Sequence, residues 1–515
     1  MITRHQILRD TYHDSVQLMR IANDVAQSST IESTEAVMGT ATNRETLGEF
    51  DGLSEADLAD VDGNDIVLVA TASESDAAST AVNEMASRLK STGDTETKAA
   101  VGSNAPKSIR HACADNDIGV ALVSVPGEYA AREAWKALHE GLHTHLFSDN
   151  VSLKRERELK KFAHEKEQLV MGPDCGTAIL DGVPLGFANE VTSGPIGLVS
   201  ASGTGLQAVS SRISRCGSGI SQAVGTGGRD LSESIEGLTT RTAIHYLDSD
   251  EATEVIVLLS KPPAETAVEA VLKTVKQCET PVIAHFQGVE INLNGVRTAE
   301  TLEATADLAI DVTDTRNIPA DSESGVDENA LEADIHALDN ERTQVRGLFA
   351  GGTLCTEAAL IADEKLEDVY SNVGVGEELS DPLAPTGHAF IDFGTDELTA
   401  GKPHPMIDPT LRNEHLRNAL QNNTTGIVLL DVVLGHGAHN NPASGIADTI
   451  AAVDTKVPVI ASVCGTDNDP QNRTKQIQTL RDAGIYVADS NAEVARLAID
   501  GAALANGERL EEGSA

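Results

Sequence analysis

The feature that most limits what this chain can fold into is a set of three apolar runs that occurs twice, in the same order. IGLVSASGTG (196–205) is echoed by GLFAGGTLC (347–355), VIVLLSKPP (255–263) by IVLLDVVLGHG (427–437), and PVIAHFQG (281–288) by PVIASVCG (458–465). Short continuous apolar runs between turn signals read as strands buried on both faces, the kind found in parallel sheets. Parallel neighbours need crossovers, and LQAVSSRI (206–213), directly after the first run, has the spacing of a helix. The repetition therefore predicts two related, doubly wound α/β domains. The first run ends in Ser200-Ala201-Ser202-Gly203-Thr204 before its helix begins. Backbone N–H groups at such a helix start converge on one spot and favour a negative charge there.

Upstream of the repeat, residues 93–192 alternate strand and helix. IGVALVSVP (118–126) is a buried strand, residues 128–140 a helix, HTHLFSDN (143–150) a strand and turn, and residues 153–166 a charged helix leading to MGPDCG (171–176). This rhythm predicts a Rossmann-like domain. Its expected phosphate loop, AAVGSNAPKSIRHA (99–112), has no GxGxxG, which argues against a nucleotide there. Residues 1–92 read as a small α/β unit, with a helix in SVQLMRIANDVA (15–26) and a strand in IVLVA (66–70), suited to an interface or regulatory role. The first repeat occupies residues 193–312 and the second 341–505. Residues 313–340, acidic and rich in Ser, Asp and Pro, read as a linker, and 506–515 as a disordered tail.

Composition narrows the partners. A formal net charge of −42, spread along the chain, disfavours nucleic acid and acidic membranes. Dispersed acid with few lysines is the pattern of proteins from high-salt cytoplasm, where screening removes the self-repulsion. No apolar run approaches the ~18 residues of a membrane helix, and the polar MITRHQILRD start is no signal peptide. Cys113, Cys175, Cys216, Cys278, Cys355 and Cys464 show no CxxC spacing, so free thiols in a reducing cytoplasm are expected, and no metal site.

The longer motifs carry a resemblance. VPGEYAAREAWKALHEG (125–141), MGPDCG, GPIGLVSASGTG (194–205) and GISQAVGTGG (219–228), then HAFIDFGTDEL (388–398) and PASGIADTI (442–450), resemble the two subunits of succinyl-CoA synthetase laid end to end without the nucleotide-binding part. Within that superfamily the chain is similar to the FdrA family, through LFSDN (146–150), GVPLGFAN (182–189), GTGGRDLSE (225–233), GGTLC (351–355), GKPHPMIDP (401–409) and GTDNDPQ (465–471). The resemblance implies a Rossmann-like CoA-binding-type domain followed by two flavodoxin-like succinyl-CoA synthetase-type domains. It also implies an acyl-CoA synthetase-like protein tied to purine (allantoin) breakdown as part of an oxamate carbamoyltransferase, working with companion subunits and a carbamate kinase in an oligomer. The alternatives are a succinate–CoA ligase-like, NDP-forming acyl-CoA synthetase subunit that borrows its ATP-grasp partner, and a non-catalytic scaffold of the same fold. The departures weigh against CoA chemistry. VEINLNGVRTAETLEATA (289–306), where that family's ligases carry a phospho-histidine, has no histidine, and the CoA-gripping glycine loop is missing.

The candidate site residues follow. Two opposed helix starts are expected to face a phosphate or acyl phosphate, one at Ser202, Gly203 and Thr204, the other at Gly435–Ala438 with Gly435 and Gly437. Gly227 and Gly228 would let Arg229 close on the anion as a clamp. Lys261, at a strand end, would neutralise charge, and His436 is a candidate acid, base or phospho-acceptor. His388 and His404, with Asp392, form a candidate substrate loop. Cys175 and Cys464 read as buried turn cysteines rather than nucleophiles.

Overall fold

In the computed structural model the described residues are 2–9, 11, 13, 18, 21–22, 25–26, 31–40, 43–44, 47, 53, 55–63, 65–100, 106–289, 295–316, 325–399 and 402–505. They form two compact units, residues 1–107 with 399–403, and residues 108–398 with 404–515.

The first unit is built on an antiparallel sheet of β1 (Ile2–Leu8), β2 (Ile31–Met38) and β3 (Ile66–Ala72), in the order β1-β3-β2. The central β3 is apolar throughout because both its faces are covered. Ile66, Leu68 and Ala70 meet Val82, Met85 and Leu89 of the helix Ser75–Ala100, while Val67 and Val69 meet Leu47, Leu53 and Leu58. Of the helix expected over 15–26, Leu18, Ile21, Ala22 and Val25 are described and buried in this core; its other residues lie outside the described set.

The second unit contains three parallel arrangements in series. β4 (Val120–Val123), β5 (His143–Leu146) and β6 (Val170–Met171) form a parallel sheet in sequence order, crossed by the helices Gly127–His139 and Leu153–Glu165. A hairpin of β7 (Thr177–Leu180) and β8 (Val183–Gly186) then joins the edge of the first large sheet. That sheet holds β9 (Ser193–Ser200), β10 (Ile220–Gly225), β11 (Val255–Ser260), β12 (Val282–Phe286) and β13 (Val296–Thr298) in the parallel order β10-β9-β11-β12-β13. This is the flavodoxin-like doubly wound order.

The second large sheet is parallel too: β16-β15-β17-β14-β18-β19-β20, from β14 (Gln344–Phe349), β15 (Val369–Ser371), β16 (Glu377–Glu378), β17 (His388–Asp392), β18 (Thr425–Val433), β19 (Val459–Cys464) and β20 (Tyr486–Ala488). It differs from its sister in one respect that matters for the site. β17 is inserted beside β14, so Asp392 at its carboxyl end stands next to the end of β14.

The helices Gly203–Arg215, Leu302–Thr313, Gly352–Asp363 and Asn491–Ala505 fill the space between the two large sheets. Their apolar residues and those of both sheets form one continuous core. The acidic stretch expected as a linker contributes to it. Glu328–His336 is a helix whose Leu331 and Ile335 enter this core, four residues apart on one face. Acidic composition marked the solvent side of that helix and hid its buried side. Ile335→Ala should destabilise the second unit by about 2–5 kcal/mol, the usual cost of truncating a buried isoleucine. Urea unfolding followed by a probe in that unit reads this, and a loss below about 0.5 kcal/mol, typical of surface positions, would show the helix to be unpacked.

Candidate functional site

The carboxyl ends of the parallel strands in the second unit converge, and two helices begin there. Ser202, in extended conformation, caps the Gly203–Arg215 helix: its Oγ accepts from the Gly205 N–H at 3.0 Å. The Gly352–Asp363 helix is capped by Gly351, which has no side chain to offer. A carboxylate from the next strand takes over. Asp431 Oδ1 and Oδ2 accept from the N–H groups of Ala350 and Gly351, each at 2.7 Å, and Arg412 Nη1 pairs with Oδ1 at 3.0 Å. The two helix starts touch, with the Ser202 and Thr353 hydroxyls hydrogen-bonded to each other. A Cβ on Gly351 would lie 3.0 Å from Thr204 Cγ2. Neither helix has an acid in its first turn, so each keeps about half a positive charge at this end.

The partner of Ser202–Thr204 is thus Gly351–Thr353, not Gly435–Ala438. The chain only turns at 435–438, and the next helix starts at Pro442. Gly435 (φ +120°) and Gly437 instead let the turn approach the hairpin's exit: a Cβ would come within 2.7 Å of Ala188 O and 3.0 Å of the Phe187 ring, respectively. The His436 N–H donates to Ala188 O at 3.0 Å, and its Nε2 lies 2.7 Å from Glu190 Oε1, forming a half-exposed imidazole–carboxylate pair. GTDNDPQ holds this turn. Gln471 exchanges two hydrogen bonds with the Gly435 backbone, and Asp469 accepts from Asn189, Glu190 N–H and Thr466 N–H.

Lys261 and Asp392 flank the Gly352 helix start. A Cβ at 352 would fall on the Asp392 carboxylate and lie 3.1 Å from Lys261 Nζ, so only glycine fits. Burial pushes the Asp392 carboxyl up to about 6, against the pull of Lys261 and of the Gly394 N–H bonded to it at 2.8 Å. His404 stands beside Gly394, its Nδ1 accepting from the Met406 N–H at 3.2 Å. Burial takes this imidazole down to about 4, so it is neutral at pH 7 with its proton on Nε2. Asp174 was missed as a site residue. Its side chain reaches solvent yet is walled by protein, and its carboxyl is raised to about 6, first by burial and then by Asp149 and Asp396, while Lys261 and Arg229 oppose this. Asp431 was missed as well, since a lone Asp inside IVLLDVV carries no local signal.

Three expectations are corrected. Arg229 is no free clamp: its Nη2 donates to Val151 O at 2.7 Å and pairs with the buried Glu156 at 2.8 Å. Gly227 packs on the Gly172–Pro173 turn, where a Cβ would strike the Pro173 carbonyl, and Gly228 faces open space. His388 is at the wrong end. It begins β17 whereas Asp392 ends it, a separation of roughly 13 Å at ~3.3 Å per residue, and its Nδ1 accepts from the Val345 N–H. Cys175 and Cys464 are inert, their thiols pushed up to about 12 chiefly by burial.

The raised Asp392 carboxyl fixes a sign. Its preference for the protonated form stabilises the fold below about pH 4, and that contribution is lost as the pH rises through about 6. Asp392→Asn, which never ionises, should therefore gain stability over the parent between pH 4 and 7, by on the order of 3 kcal/mol. Denaturant unfolding at a series of pH values measures it; a gap independent of pH would mean an ordinary carboxyl.

Against known families, residues 348–500 match CoA-ligase, and residues 1–106 match the AllF heavy metal-associated domain. The latter residues do not suit a soft heavy metal, because the first cysteine of the chain is Cys113. Among the described residues no cluster of three or more His, Cys, Asp or Glu could hold a metal, and no helix is long and apolar enough to cross a membrane. Succinate–CoA ligase [ADP-forming] subunit alpha 1 of Archaeoglobus fulgidus is 26% identical over 185 residues, 35% of this chain and 62% of that subunit. A dinucleotide-forming acetyl-coenzyme A synthetase 1 from Ca. Korarchaeum cryptofilum covers 76% of this chain and 84% of its own at 16% identity, with a TM-score of 0.28, too loose a superposition to bear on the site. The protein YahF of Escherichia coli (strain K12) is 38% identical over 505 residues, 95% of this chain and 96% of YahF. With that full-length relative and a CoA-ligase match over the second of its two doubly wound sheets, the chain belongs to the FdrA-like family of succinyl-CoA synthetase-like proteins.

Proposed function

We propose that this chain is a subunit of an acid–thiol ligase-like enzyme that moves an acyl group between phosphate and a second nucleophile at the meeting of the two helix starts. The observation that carries the reading is the contact of Ser202 with Thr353, which joins two helix N-termini without first-turn acids beside Lys261. Such donors suit the oxygens of an acyl phosphate, and they act on charge that develops as its C–O bond breaks. Asp174 and Asp392, both raised to about 6, are suited to hold or release a proton near neutral pH. In the thioester-forming direction the thiol sulfur attacks the acyl carbon, the C–O bond to phosphate breaks, and the thiol proton passes to a carboxylate. Phosphate leaves as the second product.

A recess of about 560 Å³ at the start of the Gly127–His139 helix, lined by Arg132, Trp135, Asn150 and Arg155, has the charge and aromatic surface to take the nucleotide end of CoA. The missing histidine in 289–306 favours a second reading, carbamoyl transfer without a phospho-enzyme. Phosphate would attack the ureido carbon of oxalurate and the C–N bond would break. The departing nitrogen would take a proton, giving oxamate and carbamoyl phosphate, which a carbamate kinase could use. Either chemistry would engage companion subunits, a reading supported by the similarity to the alpha subunit of a succinate–CoA ligase.

The test is to assay the purified chain, alone and with the products of neighbouring genes, for CoA-dependent thioester formation from acyl phosphates and for carbamoyl phosphate from oxalurate and phosphate. Lys261→Met should lower kcat/KM in whichever reaction proceeds by about 10²–10³-fold, the range for removing a positioned electrostatic donor. Thioester formation supports the first reading and carbamoyl phosphate the second; turnover indifferent to Lys261 would remove this site from the chemistry.

A further inference from the structure

The second unit buries several cations, and two of them have buried carboxylate partners. Lys160 sits between Glu156 and Asp230 at 3.0 and 2.8 Å, and Arg412 pairs with Asp431 at 3.0 Å. Arg346 breaks the pattern. It lies in β14, paired with Ala389 and Val428 of the neighbouring strands, and is 2% exposed. Its guanidinium donates to the carbonyl oxygens of Val345, Gly387 and Pro385 and to Gln344 Oε1, all neutral acceptors. Among the described residues no ion pair involves it. Burial alone acts on it, lowering its pKa to about 10, with no carboxylate pulling the other way. In a chain with 80 acidic against 38 basic side chains, a buried cation without a counter-charge is unexpected, and an unpaired buried charge is costly.

A recess of about 230 Å³ opens against this guanidinium, between the sheet and the helix Thr410–Gln421. Its walls are mostly apolar, from Leu348, Leu383, Pro385 and Ile391, with His415, Asn418 and Asn422 as further polar lining. It is separate from the candidate site, because Arg346 lies toward the amino end of β14 and the Gly352 helix start follows its carboxyl end.

We propose that this recess binds a short-chain monocarboxylate, whose carboxylate supplies the counter-charge that Arg346 lacks and whose carbon tail packs on Leu348, Leu383, Pro385 and Ile391. A single guanidinium among apolar walls suits one negative charge with an apolar tail better than a phosphate dianion, which would lose more hydration than one cation returns. With Nη1 and Nη2 already hydrogen-bonded to neutral acceptors, what the carboxylate adds is the missing negative charge.

Isothermal titration of the full chain at constant ionic strength tests this, with butyrate and benzoate as probes, butyramide as the neutral isostere, and inorganic phosphate as the other anion. Saturable binding of butyrate or benzoate is expected, at least tenfold tighter than butyramide and tighter than phosphate. Arg346→Met should abolish it, at some cost in urea resistance because the carbonyl oxygens of Val345, Gly387 and Pro385 lose their donor. Ala384→Trp, at the exposed mouth of the recess, should abolish it without touching Arg346, and so serves even if Arg346→Met does not fold. Lys261→Met should leave it intact, which separates this recess from the acyl-transfer site. Equal affinity for butyrate and butyramide, tighter phosphate, or binding that survives Ala384→Trp would each overturn the proposal.

Discussion

Two helix N-termini that face each other repel. Half-unit charges a few ångströms apart, at an effective dielectric constant near 20, cost about 1 kcal/mol. Around the contact between Ser202 and Thr353 stand two buried acids. Asp431 collects the N–H groups that lead into the second helix and is itself held by Arg412; Asp392 stands over Gly352. The rest of the second unit serves this arrangement. Both large sheets bring their carboxyl ends to it, and the shared core of the intervening helices fixes the angle at which they meet. The structure thus places a patch of fixed positive dipole beside Lys261, with two carboxyls that titrate near neutrality around it.

The same unit shows how an acid-rich chain places its few internal cations. Lys160 anchors the GTGGRD turn through Asp230, whose carboxylate also caps the next helix by accepting from Thr239 and Thr240. Arg212 and Arg215 knit the two halves through Asp489, and Arg212 also pairs with Asp307 in its own half. These pairs are structural, and they draw in Arg229, a residue that beside three glycines looks ready to grip a ligand. Its guanidinium is taken by Glu156 on the preceding helix. Whether an arginine is free depends on acids that lie far off in the chain, so no local motif could reveal the difference.

Much of the fold was readable from the residues. Runs such as IVLLDVV and VIVLLS are apolar at all but one position because parallel strands are covered on both faces, and that pattern is local. The echo of IGLVSASGTG in GLFAGGTLC already pointed to the true pair of helix starts. The histidine- and glycine-rich loop GHGAH looks like a phosphate-facing helix start in sequence, yet the structure uses it as a turn against the hairpin. Glu328–His336 was hidden for a related reason: with two core contacts in nine residues, its acidic face dominates the composition.

The sequence by itself determined which segments are buried, that they alternate with helices, and that the alternation repeats, because these depend on the spacing of apolar residues along one short stretch. Tertiary structure alone decided that the two echoed helix starts touch, that Asp392 and Lys261 share Gly352, and that His388 lies at the far end of its strand. It also decided that Asp174 and Asp392 hold their protons to about pH 6. The physical reason is that burial, charge and dipole add over everything within several ångströms. At the carboxyl ends of two packed sheets those neighbours come from segments as distant in the chain as residues 174, 261, 353 and 431.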